Sequence, residues 1–109
     1  MMRTRILLAA SLLALAAPAF AASGDVAAGQ KKSVPCKACH GESGVGPSPE
    51  FPILAGQNQD YLATALTHYK NGKRKNAIMQ AQVANLSPRD IQDLAAFFAK
   101  QKGPLVQKY

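Results

Sequence analysis

Cys36, Lys37, Ala38, Cys39 and His40 stand in the order C-x-x-C-H, and Cys36 and Cys39 are the two cysteines of the chain. Two intervening residues put the sulfurs about one helical turn apart, a reach suited to adding both thiols to the two vinyl groups of a haem. The residue that follows is an imidazole able to bind the iron. Three other readings compete. A structural zinc site needs four ligands; outside the cluster only His68 is available, and adjacent Cys39 and His40 are poorly placed to share one tetrahedral ion. A redox dithiol wants its C-x-x-C at a strand-to-helix junction, which this chain lacks. A plain disulfide leaves His40 without a purpose.

If His40 holds one face of an iron, the other face needs a ligand. Met79, in Asn76-Ala77-Ile78-Met79-Gln80-Ala81, is the single methionine beyond the first two residues. A thioether favours ferrous iron and raises the reduction potential, which suits an electron carrier. A lone methionine is ordinarily a core filler, but beside this motif ligation is the better reading. His68 is the second candidate; it falls off the centre of its helix's apolar stripe, which favours a solvent-facing role.

These side chains must be positioned by a small scaffold. The chain has 109 residues, 48% of them apolar, with 13 Lys+Arg against 6 Asp+Glu, enough for one domain. Its first segment reads as an export signal: Arg3 and Arg5, an apolar run over 6–17 broken only by Ser11, then Ala19-Phe20-Ala21 in the small-x-small form of a cleavage site. Cleavage after Ala21 divides the sequence into a leader, 1–21, and a mature domain, 22–109. A retained membrane anchor is the rival, disfavoured by Pro18 and the alanine-rich composition. The expected product is soluble, periplasmic and not inserted in a membrane. It stays basic after cleavage and so favours acidic partners. Nucleic acid is disfavoured by export and by lysines scattered without aromatic stacking platforms.

No period-two strand is apparent, and three helices are expected. The first starts at Asp25 as cap and stops before Pro35; Gly29 inside it suggests a close crossing by another element. The second covers 58–71, with Leu62, Ala65, Leu66 and Tyr69 on one face and Gly72 as the stop. The third opens with Ser87, Pro88 and Asp90 in an approximate capping box, carries Ile91, Leu94, Ala95 and Phe98 on one stripe, and ends by Gly103-Pro104. Segments 41–57 and 73–86 read as connections. The mature part holds only 18 Val, Ile, Leu, Met or Phe and no Trp. A core that thin calls for a staple or a bound group.

Taken together, Asp25 to Gly29, the C-x-x-C-H with Gly41, Phe51-Pro52-Ile53-Leu54-Ala55-Gly56-Gln57, Tyr61-Leu62, Gly72-Lys73-Arg74, Met79 and the Leu94 to Phe98 stretch resemble the class I c-type cytochromes. The similarity is to bacterial periplasmic monohaem proteins and to half-domains of dihaem ones. It implies an all-α fold of three to four helices wrapped around one covalently attached haem c, with Cys36 and Cys39 in thioether bonds and His40 and Met79 as axial ligands. It further implies that Gly29 meets Phe97 where the first and last helices cross. Pro52 would offer its carbonyl to the His40 imidazole, with Pro47 and Pro49 as rivals. One departure is the absence of a proline following Met79. The implied function is not enzymatic: one electron is shuttled between respiratory redox partners, such as a terminal oxidase or a reductase with an acidic docking surface. By their positions near the motif or just before the Met79 loop, Lys37, Lys70, Lys73, Arg74 and Lys75 either ring the haem edge and steer docking or form a merely solvated basic face. The alternatives are a haem enzyme or gas sensor, which needs an open iron site, and a subunit of a fixed complex.

Overall fold

The computed structural model describes residues 9–13 and 24–105. Residues 9–13 form no regular element, and the Ala19-Phe20-Ala21 motif lies outside the described residues. Five helices follow one another: α1 (Val26–Lys32), α2 (Val34–His40), α3 (Gln59–Lys70), α4 (Ala77–Val83) and α5 (Pro88–Lys100), with no strand among the described residues.

The three expected helices are α1, α3 and α5, and their starts are set by side chains that replace missing backbone partners. The Asp25 carboxylate accepts from the N–H groups of Ala27 and Ala28 at 2.9 and 3.2 Å. Asn58 does the same for Tyr61. At α5 the capping box is complete: Ser87 Oγ accepts from Asp90 N–H at 3.1 Å, and the Asp90 carboxylate accepts from Ser87 N–H at 2.9 Å.

Two seven-residue helices were not expected. Pro35 stands in the first turn of α2, where a missing N–H costs nothing, so the proline that ends one helix also opens the next. Ser33 is the shared joint between them. Segment 73–86 likewise contains α4, capped by the Asn76 side chain, which accepts from Met79 N–H at 3.0 Å. Helices this short owe little to propensity and much to what they pack against.

Helices α1 and α5 cross at Gly29. A Cβ there would lie 1.9 Å from the Asp93 carbonyl oxygen and 2.8 Å from Phe97 Cβ, so only hydrogen fits. The contact with Phe97 is as expected, and the backbone of Asp93 is closer still. The core beside this crossing consists of Leu62, Ala63, Ile91, Leu94, Ala95, Phe97 and Phe98. The Phe97 and Phe98 rings meet edge to face, with centroids 5.0 Å apart. A buried carboxylate, Asp93, 1% exposed, joins the two helices: it accepts from Asp25 N–H at 2.8 Å and from Lys32 Nζ at 2.6 Å, with Arg89 Nε at 3.4 Å. Lys32 also reaches Asp90 at 2.8 Å.

The segment between α2 and α3 turns at Gly41, whose φ of +84° suits glycine and where a Cβ would strike the Val45 carbonyl. Gly44 then accepts through its carbonyl from the N–H groups of Leu54 and Ala55, folding the chain back towards the end of α2.

Candidate functional site

The C-x-x-C-H residues come together with Met79 in one cleft of about 340 Å³. Cys36, Cys39 and His40 line it from α2, Pro52 and Leu54 from the folded-back segment, Leu62 and Leu66 from α3, and Met79 from α4. The whole α3 stripe expected from periodicity, Leu62, Ala65, Leu66 and Tyr69, faces the cleft, and Leu62 and Leu66 also pack against the core.

His40 is buried, 8% exposed, and its Nδ1 lies 2.8 Å from the Pro52 carbonyl oxygen. A carbonyl has no proton to give, so Nδ1 carries the hydrogen; in the neutral ring this leaves the lone pair on Nε2. Of the three prolines considered, Pro52 is the one that makes this contact. Cys36 is half-buried and Cys39 exposed, and neither is in a disulfide. Burial pushes the Cys36 thiol up, whereas a redox dithiol works through a depressed pKa. Met79 is half-buried on α4. His68 does not line the cleft, and its carbonyl accepts from Arg74 N–H.

Among the described residues no group of three or more His, Cys, Asp or Glu could hold a bare metal ion. The donor set suits a different guest. One imidazole nitrogen, one thioether and two thiols on an apolar wall fit a flat macrocycle that brings its own four nitrogens to the iron and needs only two axial ligands.

The basic residues expected around the site divide into two kinds. Lys37 is turned inward: its ammonium pairs with Glu42 at 3.2 Å, lies 5.4 Å from the Phe97 ring centroid, and the side chain is 15% exposed. The Lys70 ammonium donates to the Leu86 carbonyl. Arg74 lines the cleft, donating to the Tyr61 hydroxyl at 3.3 Å with its guanidinium 4.9 Å from the Tyr69 ring centroid. Lys73 and Lys75 are exposed beside it. The cluster of Arg74 with two tyrosines was not foreseen; Tyr61 and Tyr69, two helical turns apart on one helix, were its only sequence signal. No helix among the described residues is long and apolar enough to cross a membrane.

Comparison with known proteins gives a consistent result. The family described as "Cytochrome C oxidase, cbb3-type, subunit III" matches residues 25–98. A cytochrome c4 of Pseudomonas aeruginosa is 49% identical over 81 residues, covering 74% of this chain and 40% of that protein. Cytochrome c-554(548) of Halomonas halodenitrificans is 41% identical over 83 residues, 73% of this chain and 100% of that protein. The crystal structure of reduced recombinant cytochrome c4 from Pseudomonas stutzeri aligns with a TM-score of 0.71 at 42% identity, over 75% of this chain and 48% of that one. The chain thus spans less than half the length of the two cytochromes c4, and all of the shorter relative.

Proposed function

The chain belongs to the cytochrome c family that matches it over residues 25–98, and from that premise we propose that it is an exported one-electron carrier with one covalent haem. The observation that carries this reading is the sharing of a single apolar cleft by Cys36, Cys39, His40 and Met79. A haem bound there supplies an iron that alternates between Fe(II) and Fe(III). Cys36 and Cys39 would fasten it through thioether bonds. His40 would bind the iron through Nε2, its ring held in orientation by the Nδ1–H bond to Pro52. Met79 would bind the other face, favouring the reduced state.

With His40 and Met79 both bound to it, the iron would have no position open to a substrate, and the remaining task would be to exchange electrons through an edge of the group. Ile78, 69% exposed on the cleft rim, with Lys73 and Lys75 on the preceding turn, offers an apolar contact flanked by positive charge. Such a face suits transient docking to a redox enzyme with an acidic surface. Export through residues 1–21, cleaved after Ala21, would bring the chain to the periplasm, where covalent haem attachment is completed.

The test is spectroscopic. Expressed with its maturation machinery and purified from the periplasm, the protein should keep its haem on a denaturing gel, start after Ala21, and show the spectrum of a six-coordinate iron with one sulfur ligand. Met79→Ala should lower the potential and open the iron to carbon monoxide. Fast carbon monoxide binding by the unaltered protein would point instead to a sensor or enzyme.

A further inference from the structure

Among the lysines and arginines of the described residues, only Lys32 and Lys37 are not exposed. Their surroundings differ. Lys32 faces two carboxylates, those of Asp90 and Asp93, so its charge is more than balanced. Lys37 pairs with Glu42 at 3.2 Å, and the two ends of that pair stand in different media: the Lys37 side chain is 15% exposed and that of Glu42 is 90% exposed. Water therefore screens the anion far more than the cation. The Lys37 ammonium also lies 5.4 Å from the ring centroid of Phe97, itself buried, and a ring attracts a cation while leaving its charge whole. From inside the domain the pair is a positive charge whose negative partner stands in solvent.

The place of that charge in the chain gives it a use. Lys37 follows Cys36 directly and shares α2 with Cys39 and His40. Those three residues line the cleft, whereas the Lys37 side chain leaves the same helix towards Phe97 of α5. Fe(III) carries one more positive charge than Fe(II), so a fixed cation nearby opposes oxidation, and it does so more strongly across protein than across water. We propose that Lys37 is a fixed positive charge on the α2 side of the cleft that raises the reduction potential of the haem iron, with Glu42 as its screened counter-charge. The inference rests on the haem reading above and goes beyond it, adding to the Met79 thioether a second source of a high potential. Lys37 acts through space and not by ligation. The exposed lysines differ because water and salt screen them.

The experiment measures the midpoint potential of the haem-loaded protein at neutral pH, at low and at high salt, in the parent and in Lys37→Gln, Lys37→Arg, Glu42→Gln and Lys31→Gln, each checked for an unchanged axial-ligand spectrum. Lys31, exposed on α1, supplies the reference surface charge. Lys37→Gln should shift the Fe(II)/Fe(III) balance about three- to tenfold towards Fe(III), and the shift should persist at high salt. Lys37→Arg keeps the charge and should restore the parent value. Glu42→Gln should move the potential upwards by a smaller factor, an effect that fades as salt is added, and Lys31→Gln should match the parent at high salt. A parent potential in Lys37→Gln, a shift that disappears in salt, or an equal shift in Lys37→Arg, which would mark a packing role, would overturn the assignment and leave the carrier reading intact. If Lys37→Gln does not take up haem, Glu42→Gln decides: a raised potential supports the assignment, and an unchanged or lowered one overturns it. A parent protein without haem would overturn both readings.

Discussion

The α1–α5 crossing and the cleft between α2, α3 and α4 are built on opposite principles. At the crossing every demand is met by the chain itself: Gly29 lets two backbones touch, and the buried Asp93 finds an amide, an ammonium and a guanidinium. No buried side-chain nitrogen or oxygen among the described residues lacks a partner. In the cleft, apolar walls face one another without meeting. The first region is a clamp that closes the fold. The second is an open apolar cleft that brings residues of three helices together, and the difference teaches that one end of the domain is built for closure and the other for binding.

The sharpest way to break this contrast is to withhold the guest. Cys36→Ala with Cys39→Ala should abolish covalent attachment and remove cooperative thermal unfolding. Leaving about 340 Å³ unfilled costs at most about 8 kcal/mol at the rate measured for closed cavities, and less here because the cleft opens to water. Even so, it is comparable with the whole stability of a small domain. Calorimetry checks it; a fully cooperative apo-protein would mean that the clamp suffices alone.

Damage to the clamp should come next in size. Gly29→Ala brings a methyl group to 1.9 Å from a backbone oxygen, and the helices must separate. We expect a loss of about 3 kcal/mol in denaturant unfolding, which outweighs the roughly 1 kcal/mol gained in helix propensity, with the haem spectrum of the folded fraction unaltered.

Asp93→Asn should cost less, about 1–2 kcal/mol. Truncating a wholly buried pair costs more, but Lys32 and Arg89 can turn to solvent. A double-mutant cycle with Lys32→Met separates the ion pair from the bond to Asp25 N–H.

Acid should produce the smallest and most graded effect. The Lys32 ammonium, together with the Ser87 N–H, holds Asp90 down at about 2. Burial alone would push Asp93 up, but Lys32 and the Asp25 N–H bring it below the usual carboxylate range. Because both folded values are depressed, the stabilisation is complete above the ordinary carboxylate value of about 4 and is lost as pH falls towards 2. Melting temperature against pH should fall across that window, and less steeply in Asp90→Asn.

Much of this was legible in the residues. The C-x-x-C-H and the single late methionine pointed to the residues that the structure gathers in one cleft, because each is a local arrangement with few other uses. Ser87-Pro88 with Asp90, and Asp25 before an alanine-rich run, marked helix starts because capping acts over three or four residues. Gly29 announced a crossing because nothing local justified it. Less legible were α2 and α4, too short to show a period, and the fate of the lysines. Lys37 reads as a surface charge until Glu42 and Phe97 are beside it. Asp93 reads as one more polar position on an amphipathic helix until α1 is laid across it.

The sequence by itself determined the candidate donor atoms, the starts of α1, α3 and α5 and the thinness of the apolar core, since these depend on residue type and spacing along the chain. Only the tertiary structure decided which proline meets His40 and that Arg74 lies at the cleft beside two tyrosines. Those outcomes depend on loops returning from distant positions, where the geometry of the whole chain, rather than any local preference, chooses the neighbour.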